Sequence, residues 1–346
     1  MRVAVIGCGR QGAVIANKLL EYGYEVTAVD VNAGNLRKFK GRDKLLLDVK
    51  DTDRLKQFLK GYEFAVDAVP ARLGLHVMQA AIEAGTNLVD ISFTEGEVLD
   101  LQAATLSAGI TIIPDCGVAP GLSNIFAGNA CVRLAGVHTI KIYVGGVPID
   151  CEAYNLCVNF CPEDMLEEYK RPVRIKVNGK IKQVAPLSGL EEIEFTTGEY
   201  ECFYTDGLRT MLQTLDVRNL SEKTVRCKGH VGWIKTMSED ELLQVLRRYA
   251  SMDIEDVVVL HVLGIGVDKT IVYSMVDFYD KQQGITAMAR TTGYTAAIVA
   301  KLLIDGKIQM KGVVPPERLG MDEHLFDTLL RELSRCGIDV NIEVMG

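Results

Sequence analysis

Short apolar runs alternate along the first third of the chain with stretches whose apolar positions recur at helical spacing. Arg2–Ile6 (RVAVI), Tyr24–Val29 (YEVTAV), Leu45–Val49, Phe64–Val69 (FAVDAV), Asn87–Ile91 and Ile110–Ile113 read as strands. The near-continuous runs among them suit strands buried on both faces. Ala13–Leu20, Thr52–Leu59, Leu73–Ala84 and Glu95–Ala108 read as helices, with Gly23, Gly85 and Gly109 as stop signals. Strand and helix alternating in this way predict an α/β fold with a doubly wound, parallel Rossmann sheet.

Beyond Gly121 the pattern changes. Leu122–Leu134 reads as a helix, and Thr139–Val144 as a strand ended by Gly145-Gly146. Val173–Val177 and Lys180–Val184 flank Asn178-Gly179, a two-residue hairpin signature. Tyr200–Tyr204 and Thr224–Cys227 are strand-like, and Gly207–Leu215 reads as a short helix. Ser238 with Glu241 forms a capping box for a helix ending near Ala250. Val257–Leu263 and Thr270–Phe278 predict a second hairpin. Clustered antiparallel strands with few helices predict a second, α+β domain. From Thr291 an alanine- and aliphatic-rich stretch predicts a buried helix; a helix near Glu323–Arg335 and a short strand from Ile338 to Val344 follow.

Composition narrows the picture only a little. A length of 346 residues suggests two domains, and 48% hydrophobic with 24% charged residues describes an ordinary globular protein. The net charge of -8 argues against nucleic acid or an anionic membrane as the main partner. No run approaches the ~20 apolar residues that span a bilayer. The chain opens on a strand without a basic-then-apolar leader, so a cytoplasmic protein is expected. Nine cysteines contain no C-x-x-C pair and the five histidines are scattered, so no metal site is expected. Reduced, mostly buried thiols are the expectation.

The chemistry starts at the first turn. Gly7, Gly9 and Gly12 form G-x-G-x-x-G between a strand and a helix, with Arg10 and Gln11 inside the turn. Gly7 permits the tight turn, Gly9 the approach of a pyrophosphate, and Gly12 close packing of helix on strand. Asp30 closes the second strand 18 positions past Gly12, where a carboxylate can take the adenosine ribose hydroxyls. It also repels a 2′-phosphate, and Val31-Asn32 supplies no arginine to hold one, so NAD is expected over NADP. Ligands of such sheets lie beyond the carboxyl ends of the strands. That rule makes Asp48 and Val49 candidates for the adenine, and puts Val69, Pro70, Ser92 and the Asp115-Cys116 step on the rim of the crevice. With the tail returning to this fold, the expected domains are 1–122 plus 286–346, dinucleotide-binding, and 123–285.

Several stretches together resemble the saccharopine dehydrogenase family, in its branch containing lysine 6-dehydrogenase. They are GCGRQG, VDIS (89–92), PDCGVAPGLSN (114–124), YVGGVP (143–148), TDGLRTM (205–211), KGH (228–230) and RTTGYTA (290–296). The resemblance implies a Rossmann domain joined to a smaller substrate and dimerisation domain, a homodimer, and oxidation or formation of C–N bonds at amino-acid side chains. Gly117-Val118-Ala119-Pro120-Gly121 stands where the family's saccharopine reductases usually carry G-L-D-P-G, and the second domain is shorter; both favour the lysine 6-dehydrogenase branch.

Each candidate residue has an alternative reading. Asp115 can take a proton from a substrate amine, or it caps the 117–121 loop. Arg209 begins a predicted helix, where a cation opposes the local dipole, which suggests a clamp on a substrate carboxylate instead of an ion pair. Arg290 is a similar candidate, and Tyr294 is a candidate at the substrate or a packing residue. His230 can serve as acid or base, or as a buried hydrogen-bonded histidine. The expected reaction is NAD-dependent oxidative deamination, first of all at the ε-carbon of L-lysine. The alternatives are reductive condensation of an amino acid with a semialdehyde, and a silent NAD-binding regulatory protein.

Overall fold

The computed structural model describes residues 1–346. In chain order the strands are β1 (Arg2–Ile6), β2 (Glu25–Asp30), β3 (Lys44–Leu46), β4 (Phe64–Asp67), β5 (Asn87–Asp90), β6 (Thr111–Ile113), β7 (Thr139–Pro148) and β8 (Val173–Val177). Then follow β9 (Lys180–Val184), β10 (Glu191–Phe195), β11 (Gly198–Tyr204), β12 (Asn219–Cys227), β13 (Asp256–Ile265), β14 (Thr270–Phe278), β15 (Gly312–Val313) and β16 (Val340–Met345). They fall into two compact units, Met1–Ile125 with Ala289–Cys336, and Phe126–Met288 with Gly337–Gly346. No helix is long and apolar enough to cross a membrane.

The first unit is a parallel seven-stranded sheet in the order β15-β6-β5-β4-β1-β2-β3. Strand order reverses between β1 and β4, the switch point at which such sheets take ligands. Val3, Ala4, Val5 and Ile6 of β1 are all fully buried, which explains the unbroken apolar run. Helix Arg10–Glu21 follows β1, and helix Ala71–Ala84 follows β4 and ends on Gly85 in the left-handed conformation. Helix Ala287–Ile304 carries Gly293, where a Cβ would lie 2.8 Å from Val14 Cγ1; glycine there lets the two backbones approach.

The second unit is a mixed sheet in the order β10-β11-β12-β7-β13-β14-β16, with β8 pairing β12 and β9. Asn178 and Gly179 turn β8 into β9 with φ 51° and 78°, the left-handed pair that a tight hairpin demands. The Ser238–Glu241 capping box forms at the start of helix Glu239–Ala250. Phe126 stacks on Tyr273 at 5.1 Å, and the Tyr273 hydroxyl donates to Asn129 at 2.7 Å.

Three expectations need correction. β7 does not stop at Gly145-Gly146 but runs through them, because a Cβ at Gly145 would lie 2.3 Å from Val225 O; the glycine admits a neighbouring strand. The tail does not return whole to the first unit: β16 pairs antiparallel with β14, Ile342 opposite Tyr273, so residues 337–346 belong to the second. The thiols are not all reduced. Cys151, just past β7, and Cys227, at the end of β12, are joined in a disulfide with Cα atoms 5.6 Å apart, while the other seven cysteines are free. A sequence separation of 76 hides such a pairing from sequence spacing.

Candidate functional site

The turn after β1 is built around backbone clearances. Gly7 has φ +84°, and its N–H donates to Val29 O at 2.8 Å. A Cβ on Gly12 would lie 1.9 Å from Gly7 O, so the helix packs on the strand through that glycine. A Cβ on Gly9 would meet nothing within 4 Å. Gly9 is the N-cap of helix Arg10–Glu21 and brings no side chain to its positive dipole end. Crowded at Gly7 and Gly12 and open at Gly9, this cradle fits a pyrophosphate.

Asp30 at the end of β2 is 9% exposed and tightly held. Its Oδ2 accepts the Cys8 N–H at 2.7 Å and its Oδ1 the Asn32 N–H at 2.7 Å, while Asn35 Nδ2 reaches both oxygens at 3.3 and 3.2 Å. The carboxylate therefore ties the second strand to the glycine turn. Asn35 was not apparent from the sequence; only its position five residues past Asp30 hints at it.

Other rim candidates gather at the same sheet end. Asp48 Oδ1 accepts the Lys50 N–H at 3.0 Å, and the carbonyl of buried Val49 meets His76 Nε2 at 2.8 Å. Val69 N–H donates to Asp67 Oδ1 at 3.1 Å, and Pro70 is the N-cap of helix Ala71–Ala84. Ser92 is buried against that helix, where a Cβ on Gly74 would come within 1.9 Å of its Oγ.

Three carboxyls, Asp67, Asp90 and Asp115, stand where β4, β5 and β6 end. Asp67 and Asp90 are fully buried register partners on adjacent strands. Asp115 is 1% exposed, has φ +53°, and donates its N–H to Asp90 Oδ2 at 3.4 Å. Burial, then the charge of Asp90, raises Asp67 well above the carboxylate range. Burial, then Asp115, pushes Asp90 up to about 6. The Cys116 thiol is pushed far up by burial and is a core group, not a nucleophile. Beyond it, Ala119-Pro120 is cis, Gly121 N–H donates to Asn124 Oδ1 at 3.1 Å, and Asn124 Nδ2 donates to Glu317 Oε2 at 3.1 Å.

In the second unit Arg209 is 6% exposed with φ +50°. It lies in a left-handed turn before the short helix Met211–Thr214, not at a helix start. A Cβ on neighbouring Gly207 would lie 1.6 Å from Glu222 Oε1. Glu222 is pushed up to about 8 by burial, then by Glu168 and Asp206.

His230 has a structural setting. It is 1% exposed, with Nδ1 at 3.3 Å from Asn155 O and Nε2 at 3.1 Å from the Tyr169 hydroxyl. Nδ1 faces a carbonyl and so carries the ring proton, which leaves Nε2 to accept from the Tyr169 hydroxyl; that hydroxyl in turn accepts from Arg226 Nε at 3.4 Å. Burial, then the Arg226 charge, pushes the imidazole down to about 3, so the ring stays neutral and is a weak proton acceptor. A depressed histidine stabilises the fold above its unfolded pKa, and that contribution is lost as pH falls from 6.5 toward 3. Unfolding free energy should therefore drop by about 2–3 kcal/mol more between pH 7 and pH 4.5 in the wild type than in His230→Gln. Denaturant titrations at the two pH values measure the difference; equal slopes would contradict the buried neutral imidazole.

Arg290 and Tyr294 stack on one another on helix Ala287–Ile304. Arg290 Cζ lies 5.6 Å above the Tyr294 ring and its Nη2 donates to Cys336 O at 3.4 Å. Lys18 Nζ lies 5.1 Å from the same ring. Lys18 is nine residues along the helix from Gly9, about 13 Å from the pyrophosphate end. This cation–π stack gives both residues a packing role in the first unit.

Residues 3–113 match the family model described as saccharopine dehydrogenase NADP binding domain, and residues 117–338 the model for the saccharopine dehydrogenase C-terminal domain. The chain belongs to the saccharopine dehydrogenase family. Among relatives in that family, the Saccharomyces cerevisiae saccharopine dehydrogenase [NADP(+), L-glutamate-forming] is 20% identical over 404 residues, covering 87% of this chain and 89% of the relative. The Arabidopsis thaliana alpha-aminoadipic semialdehyde synthase is 29% identical over 145 residues, 40% of this chain and 14% of that protein. The rat mitochondrial alpha-aminoadipic semialdehyde synthase is 20% identical over 96% of this chain, but the chain spans only 44% of that protein. The apo S. cerevisiae saccharopine dehydrogenase (L-Glu forming) structure aligns over 100% of both chains with a TM-score of 0.78 at 18% identity. The two share a fold.

Proposed function

We propose that this chain is an NAD-dependent amino-acid dehydrogenase of the saccharopine dehydrogenase family, oxidising a primary amine carbon, first of all the ε-carbon of L-lysine. The observation that carries the reading is a buried carboxyl, Asp115, in a left-handed turn at the same sheet end as an open glycine cradle. Gly7, Gly9, Arg10, Gln11 and Gly12 would hold the pyrophosphate, Asp30 the adenosine ribose, Asp48 and Val49 the adenine, and Val69, Pro70 and Ser92 the nicotinamide half. The bound nucleotide supplies a hydride acceptor. Asp115 holds the substrate ammonium and takes one proton from it, since hydride leaves readily only from a carbon bearing a free amine. Hydrolysis of the resulting imine gives the semialdehyde and ammonia. Arg209 is proposed to hold a substrate carboxylate.

NAD is proposed over NADP, although the yeast relative is named for NADP(+), because the Asp30 carboxylate, fixed by four hydrogen bonds at the end of β2, would repel a 2′-phosphate. Asp30→Ala should raise the KM for NAD+ by about 10-fold and narrow the preference over NADP+. Steady-state kinetics with both nucleotides measure this; an unchanged ratio would assign the preference elsewhere. A cytoplasmic homodimer is also proposed. Partly exposed Leu263 and Val272, register partners on one sheet face, support a second copy as partner, and sedimentation tests it.

The yeast relative's coverage favours a second reading, reductive condensation of an amino acid with a semialdehyde. Absorbance of NADH, with ammonia release, in NAD+ and L-lysine at alkaline pH tests the first reading, with NADP+ in parallel. Turnover only in reverse, with glutamate and the semialdehyde, would select the second.

A further inference from the structure

Asp67 and Asp90 lie at positions where a parallel sheet ordinarily buries valine or isoleucine. Both are fully buried, and they are paired in register across β4 and β5. Asp67 Oδ2 and Asp90 Oδ1 have no hydrogen-bond partner. The other oxygen of Asp67 accepts the Val69 N–H at 3.1 Å. Asp90 holds the next turn twice: its Oδ2 accepts the Asp115 N–H at 3.4 Å, and its main-chain oxygen accepts the Cys116 N–H at 2.7 Å. The groups that govern the pair's ionisation are each other, Asp115, the Ser92 hydroxyl and main-chain N–H groups; Cys116, also affected by Asp90, stays a neutral thiol. Two carboxyls so placed cannot both ionise, so they titrate as a unit sharing one proton.

Resting on the reading of Asp115 above, we propose that Asp67 and Asp90 form a proton-sharing pair behind it. Asp90 positions the Asp115 turn, and the pair takes over the proton that Asp115 receives from the substrate amine. The balance is simple. The ammonium loses one proton and becomes the free amine; Asp115 gains it and passes it on, returning to carboxylate. The pair goes from one proton to two, and gives one to solvent when product leaves. Asp67 and Asp90 are positioning and relay groups; neither need touch substrate. A buried pair suits this task because each added proton removes a charge that burial penalises.

Two isosteric variants and three readouts test the pair. Infrared difference spectra of the wild type should show a protonated-carboxyl band at pH 7 that is diminished in Asp67→Asn and in Asp90→Asn. In lysine oxidation with NAD+, both variants should shift the acidic limb of the kcat/KM profile by about one pH unit and lower kcat about 10-fold. NADH affinity, read by fluorescence, should stay within about twofold. Asp67→Asn leaves the Asp115 turn untouched, so a shared effect on the pH profile cannot arise from misplacing that turn. Unshifted profiles in folded variants, or no difference band, would overturn the proposal. A wild type that shows the band yet oxidises no amine would overturn the reading of Asp115, and with it the relay, while the shared proton stands.

Discussion

Gly12→Ala should cost this protein nucleotide binding, with Kd for NADH rising at least about 100-fold, or ~2.7 kcal/mol. The added Cβ would lie 1.9 Å from Gly7 O, 2.8 Å from Gly7 C and 3.2 Å from Ala68 Cβ. Two of these three obstacles are backbone atoms of the cradle itself. Gly7 cannot swing away: its φ is +84°, and the space beside its Cα is closed by Ala68 O at 2.6 Å from an ideal Cβ. Helix Arg10–Glu21 must therefore back off the strand, carrying its N-terminal N–H groups out of phosphate range. Overpacking of this kind costs about 1–3 kcal/mol of stability, offset by at most about 1 kcal/mol from alanine's better helix propensity. Gly9→Ala separates fold from ligand. Its Cβ meets no protein atom within 4 Å, so the variant should melt like the wild type and still bind NADH poorly. Calorimetric melting and fluorescence titration of both variants read the two effects; near-wild-type binding by Gly12→Ala would remove the cradle from the site.

Much of this arrangement was legible because burial on both faces leaves an unbroken apolar run, as in β1, and because turns with special backbone angles demand particular residues. Asn178-Gly179 and the glycine turn are of that kind. The strand ends were harder. Asp67 and Asp90 sit inside apolar runs, FAVDAV and NLVDI, and their proximity depends on β4 and β5 being neighbours in register. No local pattern carries that information. The sequence predicts a helix over Gly207–Leu215 with Arg209 at its start; the helix that forms is only Met211–Thr214, and a left-handed arginine leaves no trace in spacing. A histidine is a candidate acid or base by its side chain alone; Tyr169 and Asn155, which make His230 structural, lie 61 and 75 residues away. Gly145 looked like a strand end, yet it is the residue that lets β7 pass close to Val225.

Asp115→Asn should lower kcat for amine oxidation by about 10²–10⁴-fold, the usual cost of removing a general base, while leaving NADH affinity within about twofold. The substitution is unusually clean at this position. Asp115 adopts φ +53°, a conformation that asparagine tolerates as well as aspartate, so the turn need not rearrange. Its N–H still donates to Asp90 Oδ2, and Cys116 N–H still donates to Asp90 O, so the backbone anchor persists. What changes is one oxygen, exchanged for an amide nitrogen that can neither hold an ammonium nor accept its proton. Removing the negative charge beside Asp90 also relieves the second cause of its raised pKa, so Asp90 should titrate lower than about 6 in the variant. A carboxyl whose folded pKa is raised stabilises the fold below its unfolded pKa and loses that contribution as pH rises through the folded value. Asp115→Asn should accordingly flatten the decline in stability between about pH 4 and pH 6. Single-turnover kinetics and denaturant titrations across that window measure the chemical and the electrostatic consequence separately. A kcat within about threefold of wild type would move the base elsewhere, whereas a lost turnover with an unflattened stability curve would keep Asp115 as the base and remove its electrostatic hold on Asp90.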